Sequence, residues 1–458
     1  MSLLPTTEKF ERIYRSLLVA DLRRELAPFF PPATFPEDDL AYALSVATRL
    51  SLSGGGETEE RAIAGRKAYD VAIRALNFAN GSTPTVRTIC ELILSRIGNF
   101  PARLLLAEQA GPARTADPFL ATEMLVRQRE NKLRGTASET VLTDFQVRLI
   151  QALEANTSVS VSAPTSAGKS FTLEVELLRR LRDDAAYVAV FLVPTRALIR
   201  QVTFDLVQLL REHDLANVPV VSAPTVPDTP VIGNKFIYIL TQERLATLLT
   251  SGAQHLTIHA IIVDEAHEIG ESDRGLTLER VLTITLARFP HARLFFSSPL
   301  RSNPDFLLRL FGRDRDGEHF VEYLSPVSQN IINVEKILGR GKTRSAKLDL
   351  IVDNQASPLG SVELPFEFRT GSGYIGKFAF HFTALARPPS STATNRRSPT
   401  RPLSKSPVTS RRRATTRSYP TSPPSCGRRF ISSIGLRCWF ARVSRFTTAR
   451  FPRSSVGA

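Results

Sequence analysis

The segment from Val159 to Arg182 constrains the fold of this chain more than any other stretch. A short apolar run, Val159 to Ser162, leads into Ala163-Pro164-Thr165-Ser166-Ala167-Gly168-Lys169-Ser170, and an amphipathic stretch, Phe171 to Arg182, follows at helical spacing. Strand, glycine-bearing loop and helix in that order aim backbone N–H groups at one point, where they cradle anionic oxygens. Lys169 is placed to reach the β and γ phosphates of a nucleotide, and the Ser170 hydroxyl to coordinate Mg²⁺. The usual loop of this kind has glycine at both ends of a four-residue spacer. Here Ala163 stands at the first position.

Ninety-five residues beyond Lys169, the apolar run Ala260-Ile261-Ile262-Val263 delivers Asp264-Glu265-Ala266-His267. Two adjacent carboxylates at the end of a buried strand suit phosphate hydrolysis: Asp264 to hold the water shell of Mg²⁺, Glu265 to orient and deprotonate the attacking water. Further strand-like runs occur at Ala186–Val193, Val218–Val221, Phe236–Leu240 and Arg293–Phe296, with helical segments between several of them. Buried strands alternating with helices predict a mostly parallel sheet covered on both faces, an α/β nucleotide-binding architecture.

The remaining sequence divides around this block. Residues 1–135 show helical periodicity, as in Phe10, Ile13, Tyr14, Leu17 and Leu18, and predict an all-helical domain suited to packing or to contact with a protein partner. Residues 136–320 form the α/β block. Residues 321–383 contain strand-like runs (Ile331–Val334, Lys347–Val352, Phe378–Phe382) and are assigned to a linker and the start of a second domain. Residues 384–458 carry 15 Arg and one Lys with no Asp or Glu, so the net charge of +15 belongs to this tail, and the rest of the chain sums to −1. The basic total is therefore no argument for a nucleic-acid partner. No apolar run approaches the roughly 20 residues of a membrane span, and no membrane role is expected. The N-terminus lacks a secretory pattern, and Cys90, Cys426 and Cys438 have neither metal-ligand spacing nor the makings of a disulfide framework. A cytoplasmic setting is the expectation.

From about Leu142 to Asn333 the chain resembles superfamily 2 DExH-box nucleic-acid helicases, whose looser phosphate loop accepts Ala163. The resemblance implies a RecA-like P-loop domain, ATP and Mg²⁺ as cofactors, and single-stranded or duplex DNA or RNA as partner. Leu142-Thr143-Asp144-Phe145-Gln146, with Gln146 23 residues before Lys169, is similar to the adenine-recognising segment and makes Gln146 the adenine reader. Val193-Pro194-Thr195-Arg196-Ala197-Leu198-Ile199-Arg200-Gln201 and Leu240-Thr241-Gln242-Glu243-Arg244-Leu245 resemble two motifs that contact the phosphates of one strand, which makes Thr195, Arg196, Thr241 and Arg244 the candidate nucleic-acid contacts. His267 would relay the state of the γ-phosphate to a second domain. The run Asp264 to Glu279, with Arg274-Gly275 and Leu278-Glu279, resembles the Ski-like branch. The loop, the helical N-terminal domain and Ser297-Ser298-Pro299, which stands where the family has Ser-Ala-Thr, resemble the helicase subunit of bacterial Hachiman-type antiphage systems. The lost threonine puts coupling of hydrolysis to strand movement in doubt.

Nothing after Asn333 matches the family's second RecA-like domain, and Gly339-Arg340-Gly341 comes too early to be its arginine finger. The basic tail reads either as a disordered nucleic-acid-binding arm, which would suit a non-motor ATP-dependent switch, or as sequence translated out of frame. Read from the third base of each codon, Cys438-Trp439-Phe440 must give Leu-Val, and the residues after it permit Arg-Ala-Gly-Val-Ala-Phe-His-Tyr-Gly, resembling a segment of the Ski-like second domain. In the same frame Ala386–Asn395 permits Ala-Thr-Thr-Val-Val-Tyr-Ser-Asn-Lys, resembling motif IV. A frame change near Thr383, leaving a truncated motor, is therefore expected. Sequencing the gene should show a frame that runs on into a second RecA-like domain after a one- or two-base correction; its absence would favour the arm.

Overall fold

The computed structural model describes residues 7–364 apart from short connecting stretches, the longest being 226–234, together with Phe366 and Thr447–Arg450. Its central element is a seven-stranded sheet: β1 (Ser158–Ser162), β2 (Tyr187–Leu192), β3 (Val220–Val221), β4 (Lys235–Leu240), β5 (Ala260–Val263), β6 (Arg293–Ser298) and β7 (Gly317–Val321). The strand order is β3-β4-β2-β5-β6-β1-β7, and every pairing is parallel. Before it come six helices, α1 (Glu8–Glu25), α2 (Glu37–Ser53), α3 (Glu59–Phe78), α4 (Pro84–Arg96), α5 (Phe100–Ala110) and α6 (Pro118–Glu130). The sheet is clothed by α7 (Asp144–Glu154), α8 (Lys169–Asp183), α9 (Arg196–Glu212), α10 (Gln242–Thr250), α11 (Asp273–Arg288) and α12 (Asp305–Leu310).

Alternation along each strand explains the two layers. Ala189, Ile237, Ile239, Ala260, Ile262 and Phe295 point to one face, where α7, α8 and α9 cover them through Leu149, Leu177 and Leu206. Their neighbours Val188, Val190, Tyr238, Ile261, Val263 and Phe296 point to the other, under α10, α11 and α12. With side chains at a period of two and both faces buried, the strands must read as continuous apolar runs. The parallel crossovers then bring the loops after β1, β2, β4, β5 and β6 to the same edge of the sheet.

The stretch after β7 contributes to a separate four-stranded sheet. Strands β8 (Asn330–Lys336), β9 (Ser345–Val352) and β10 (Gln355–Glu363) pair antiparallel. The turn between β9 and β10 is the two-residue Asp353-Asn354, with φ of 47° and 61°. Two consecutive left-handed residues match the twist of a tight hairpin, and Asp and Asn tolerate that backbone better than most side chains. A hairpin turn joins antiparallel neighbours, whereas parallel neighbours need a longer crossover. Ile332, Val334, Leu348, Leu350 and Leu359 pack in the same core as Phe10, Leu17, Leu44 and Ala72, so the N-terminal helices and this sheet bury one another. The expected strand at Phe378–Phe382 lies outside the described residues, as does the tail except Thr447–Arg450. Those four residues form a strand, β11, parallel to Asn330–Asn333, where the sequence predicted no structure.

A buried polar network fastens the two pieces. Arg74 pairs with Asp70 at 2.7 Å and Asp21 at 3.3 Å, and donates to Ser328 Oγ at 2.8 Å and Asn330 Oδ1 at 3.2 Å. The Tyr14 hydroxyl and Ser328 Oγ both donate to Asp70, at 2.7 and 2.6 Å. Removing the guanidinium strands two buried carboxylates. Arg74→Ala should therefore cost about 3–5 kcal/mol in a denaturant melt, several times the loss on removing an exposed pair such as Arg61–Glu57.

Candidate nucleotide and nucleic-acid site

The loop after β1 forms a single 3₁₀ turn, Thr165–Ala167, and closes on Gly168, whose φ of 85° caps α8. That left-handed conformation favours glycine, and a β-carbon there would come within 2.3 Å of Gln146 Nε2 and displace the amide. Ala163 is not among the residues with positive φ. It ends the strand, with its N–H donating to Ser298 O at 3.3 Å, and needs no glycine. Thr165 and Ser170 are exposed, Pro164 and Gly168 half-buried, and Ser166 and Ala167 buried.

Lys169 is the hinge of the site. Its ammonium donates to Ala163 O and, at 2.8 Å, to Ser298 O. Burial lowers its pKa, and the charges of Asp264 and Glu265 only partly restore it. The strand order is the reason these groups meet: β6 lies between β1 and β5, so the ends of the three strands are adjacent. Glu265 N–H donates to Asp264 Oδ1 at 3.1 Å, and Glu265 holds a left-handed φ of 55°. That conformation is costly for a glutamate and is a recurrent feature of functional sites. His267 Nδ1 lies 3.1 Å from Glu265 Oε2. Ser298 Oγ donates to Val161 O at 3.2 Å and Ser162 Oγ to Pro299 O at 3.1 Å, so the Ser-Ser-Pro segment is laced to β1 and the phosphate loop.

Gln146 lies beside the phosphate loop. Thr143 and Gln146 form a reciprocal capping box at the start of α7, with Gln146 Oε1 accepting from Thr143 N at 3.0 Å, and Gln146 Nε2 donates to Ala167 O at 3.4 Å.

The four proposed nucleic-acid contacts divide. Thr195 and Arg196 are exposed at the N-terminus of α9, where Thr195 also caps Leu198 N. Thr241 is buried, and Arg244 donates to Ser222 O at 2.7 Å, so the main interactions of these two lie within the protein. Arg274, which entered the sequence reading only through the Ski-like signature, bridges the two motifs: it donates to Pro194 O at 2.5 Å and lies 3.7 Å from Glu243. Burial raises the Glu243 carboxyl, but Thr241, its own backbone N–H, Arg274 and Arg196 together hold it below the usual range.

One group escaped the sequence reading altogether. Glu322, just beyond β7, is buried beside the phosphate-loop strand, its N–H donating to Ser162 O at 2.9 Å. Arg148 of α7 reaches Glu322 at 3.4 Å and Glu57 of the N-terminal region at 2.7 Å. These residues line a cleft of about 520 Å³ that also borders Thr143 and Ala167.

This strand–loop–helix with paired carboxylates one strand removed defines a RecA-like nucleotide-binding domain. Residues 143–306 match the family model described as DEAD/DEAH box helicase. The chain is 30% identical over 150 residues to the ATP-dependent DNA helicase Hel308 of Pyrococcus horikoshii, covering 32% of this chain and 20% of that protein. It is 28% identical over 165 residues to the human exosome RNA helicase MTR4, covering 34% of this chain and 15% of that one. Among solved structures it is similar to the DEAD-box helicase Mss116 bound to ssRNA and UDP-BeF, with TM-score 0.33 and 20% identity over 43% of this chain and 44% of that one. The chain thus spans a fifth or less of the length of these curated relatives.

Burial raises the Glu322 pKa from 4.5 to about 7, against the lowering effects of the Leu324 N–H and Arg148. A carboxyl whose folded pKa lies above its unfolded value contributes stability that is complete below about 4.5 and is lost as pH rises through about 7. Glu322→Gln should therefore raise the melting temperature relative to the parent at pH 8, and the difference should vanish toward pH 4.5, as followed by thermal melts across that range.

Proposed function

We propose that this chain binds ATP with Mg²⁺ at the loop 163–170 and represents the first motor domain of an ATP-dependent helicase acting on DNA or RNA. The observation that carries the reading is the convergence of Lys169, the Ser298 carbonyl and the Asp264-Glu265 pair at the ends of three adjacent strands. The backbone N–H groups at the start of α8 receive phosphate oxygens. Lys169 exchanges its carbonyl acceptors for the β and γ phosphates, a trade eased because those acceptors carry no full charge. Glu265 accepts the proton of the attacking water, and His267, against it, reports the γ-phosphate.

The donors suit Mg²⁺. Ser170 offers an exposed hydroxyl and Asp264 a half-buried carboxylate, while the described residues hold no cluster of three or more metal-binding side chains. A cation that keeps waters and phosphate oxygens as most of its ligands needs no more. When bound, it neutralises phosphate charge.

For the nucleic acid, Thr195 and Arg196 are the direct backbone contacts in this reading, with Arg274 beside them, while Thr241 and Arg244 support the same edge of the sheet through contacts within the protein. The N-terminal helices, where Phe119 and Leu125 are exposed, are assigned to contact with a protein partner. We further propose that residues 384–458 are out of frame and so do not supply the finger arginines of a second domain, whose loss typically lowers turnover by about 10³–10⁵. Fluorescent-ATP titration should show weak binding that Lys169→Ala abolishes, and steady-state assays with single strands should show little hydrolysis and no unwinding. Robust turnover that Glu265→Gln abolishes would overturn the truncation reading.

A further inference from the structure

The amide of Gln146 borders the phosphate loop, but the residues that hold it there come from outside the nucleotide-binding fold. Two bonds already use part of that amide: Oε1 accepts from Thr143 N and Nε2 donates to Ala167 O. One oxygen lone pair and one N–H remain. That pair complements adenine, which offers N6–H₂ and N7, and mismatches guanine, which offers two acceptors at the same edge. Discrimination then depends on how rigidly the turn Thr143–Gln146 is aimed.

The turn is gripped through Asp144. Arg127, in the last turn of α6, donates to Asp144 Oδ2 at 2.6 Å, and Asn131, the capping residue of α6, donates to Asp144 Oδ1 at 2.8 Å. Asn131 also donates to Leu142 O at 3.1 Å, and its own carbonyl accepts from Leu142 N at 2.8 Å, so the chain entering the turn is fixed on both backbone atoms of Leu142. Asn131 is buried. On the other flank, the turn after α4 carries Gly98 with φ of 67°, where a β-carbon would come within 2.2 Å of the Asp144 carboxyl carbon. Two pieces of the N-terminal region therefore close on one side chain, two residues from the amide.

We propose that Arg127 and Asn131 are positioning residues for nucleobase selection, and that the N-terminal helical region thereby sets the preference of the ATP site for adenine. The inference rests on the ATP-binding reading above. It predicts that weakening the grip leaves phosphate binding intact and loosens base recognition.

The test is equilibrium titration of the full chain with mant-ATP and mant-GTP, beside circular dichroism and thermal melts. The parent should prefer the adenine nucleotide. Arg127→Ala and Asn131→Ala should each reduce the ATP-to-GTP preference about fivefold or more, chiefly by weakening ATP. Arg96→Ala removes the two-pronged Arg96–Glu123 pair, at 2.7 and 2.9 Å, that also ties α6 to α4 without touching Asp144. It should lower stability and keep the preference. Asp144→Asn breaks the same grip from the α7 side, so the question stays answerable if the α6 variants fail to fold; it too should lose the preference. Folded variants that retain the parental ratio overturn the proposal, as does an equal loss in Arg96→Ala, or a parent that binds both nucleotides equally. A parent that binds neither nucleotide instead overturns the ATP-site reading itself.

Discussion

Parallel pairing of β6 with both β1 and β5 is the constraint on which the site depends. The phosphate loop and the carboxylate pair belong to strands that are not neighbours, and the strand between them supplies the spacing. That strand also contributes chemistry through its backbone: the Ser298 carbonyl holds the Lys169 ammonium, and the same oxygen receives the Ala163 N–H. A main-chain acceptor cannot be removed by substitution, so this contact does not depend on which side chains the Ser-Ser-Pro segment carries.

The strands whose burial is complete were plain in the sequence. β2, β4 and β5 are apolar throughout because both faces are covered, and each appears within a residue or two of its expected span. β7 was not visible, since Gly317–Val321 is a partly exposed edge strand with polar residues and no periodic signal. The loop residues were legible as a set because strand, glycine and lysine occur in one continuous run. Their partners were less so. Arg244 turns inward to a carbonyl 22 residues away, and Thr241 is covered by packing. Neither direction is encoded locally, whereas Thr195 and Arg196 begin a helix and point outward by position. Glu322 had no local signature at all: its surroundings come from β1, α7 and the loop at Gly56.

The segment between β8 and β10 shows how a two-residue turn settles an architecture. Strand-like composition at Lys347–Val352 is compatible with either a parallel or an antiparallel neighbour. Asp353-Asn354 decides for the hairpin, and Asp353 then serves twice, since its carboxylate pairs with Arg66 and, at 3.5 Å, with Lys67 on α3. The turn that folds the sheet also docks it on the helices.

The shared core of α1–α4 with β8–β10 places the two halves of one hydrophobic unit on either side of the parallel-sheet domain in the chain. Arg74 and Ser328 are 254 residues apart, and Arg23 donates to Leu359 O across 336. During synthesis the helices leave the ribosome first but lack the surface they bury against. At about 5–20 residues per second they wait on the order of tens of seconds for it. The intervening parallel sheet has all of its own strands before β8 is made, so it can close while the helical half is still unfinished. Such late closure makes chain elongation, as much as intrinsic folding, the step that times completion of the molecule.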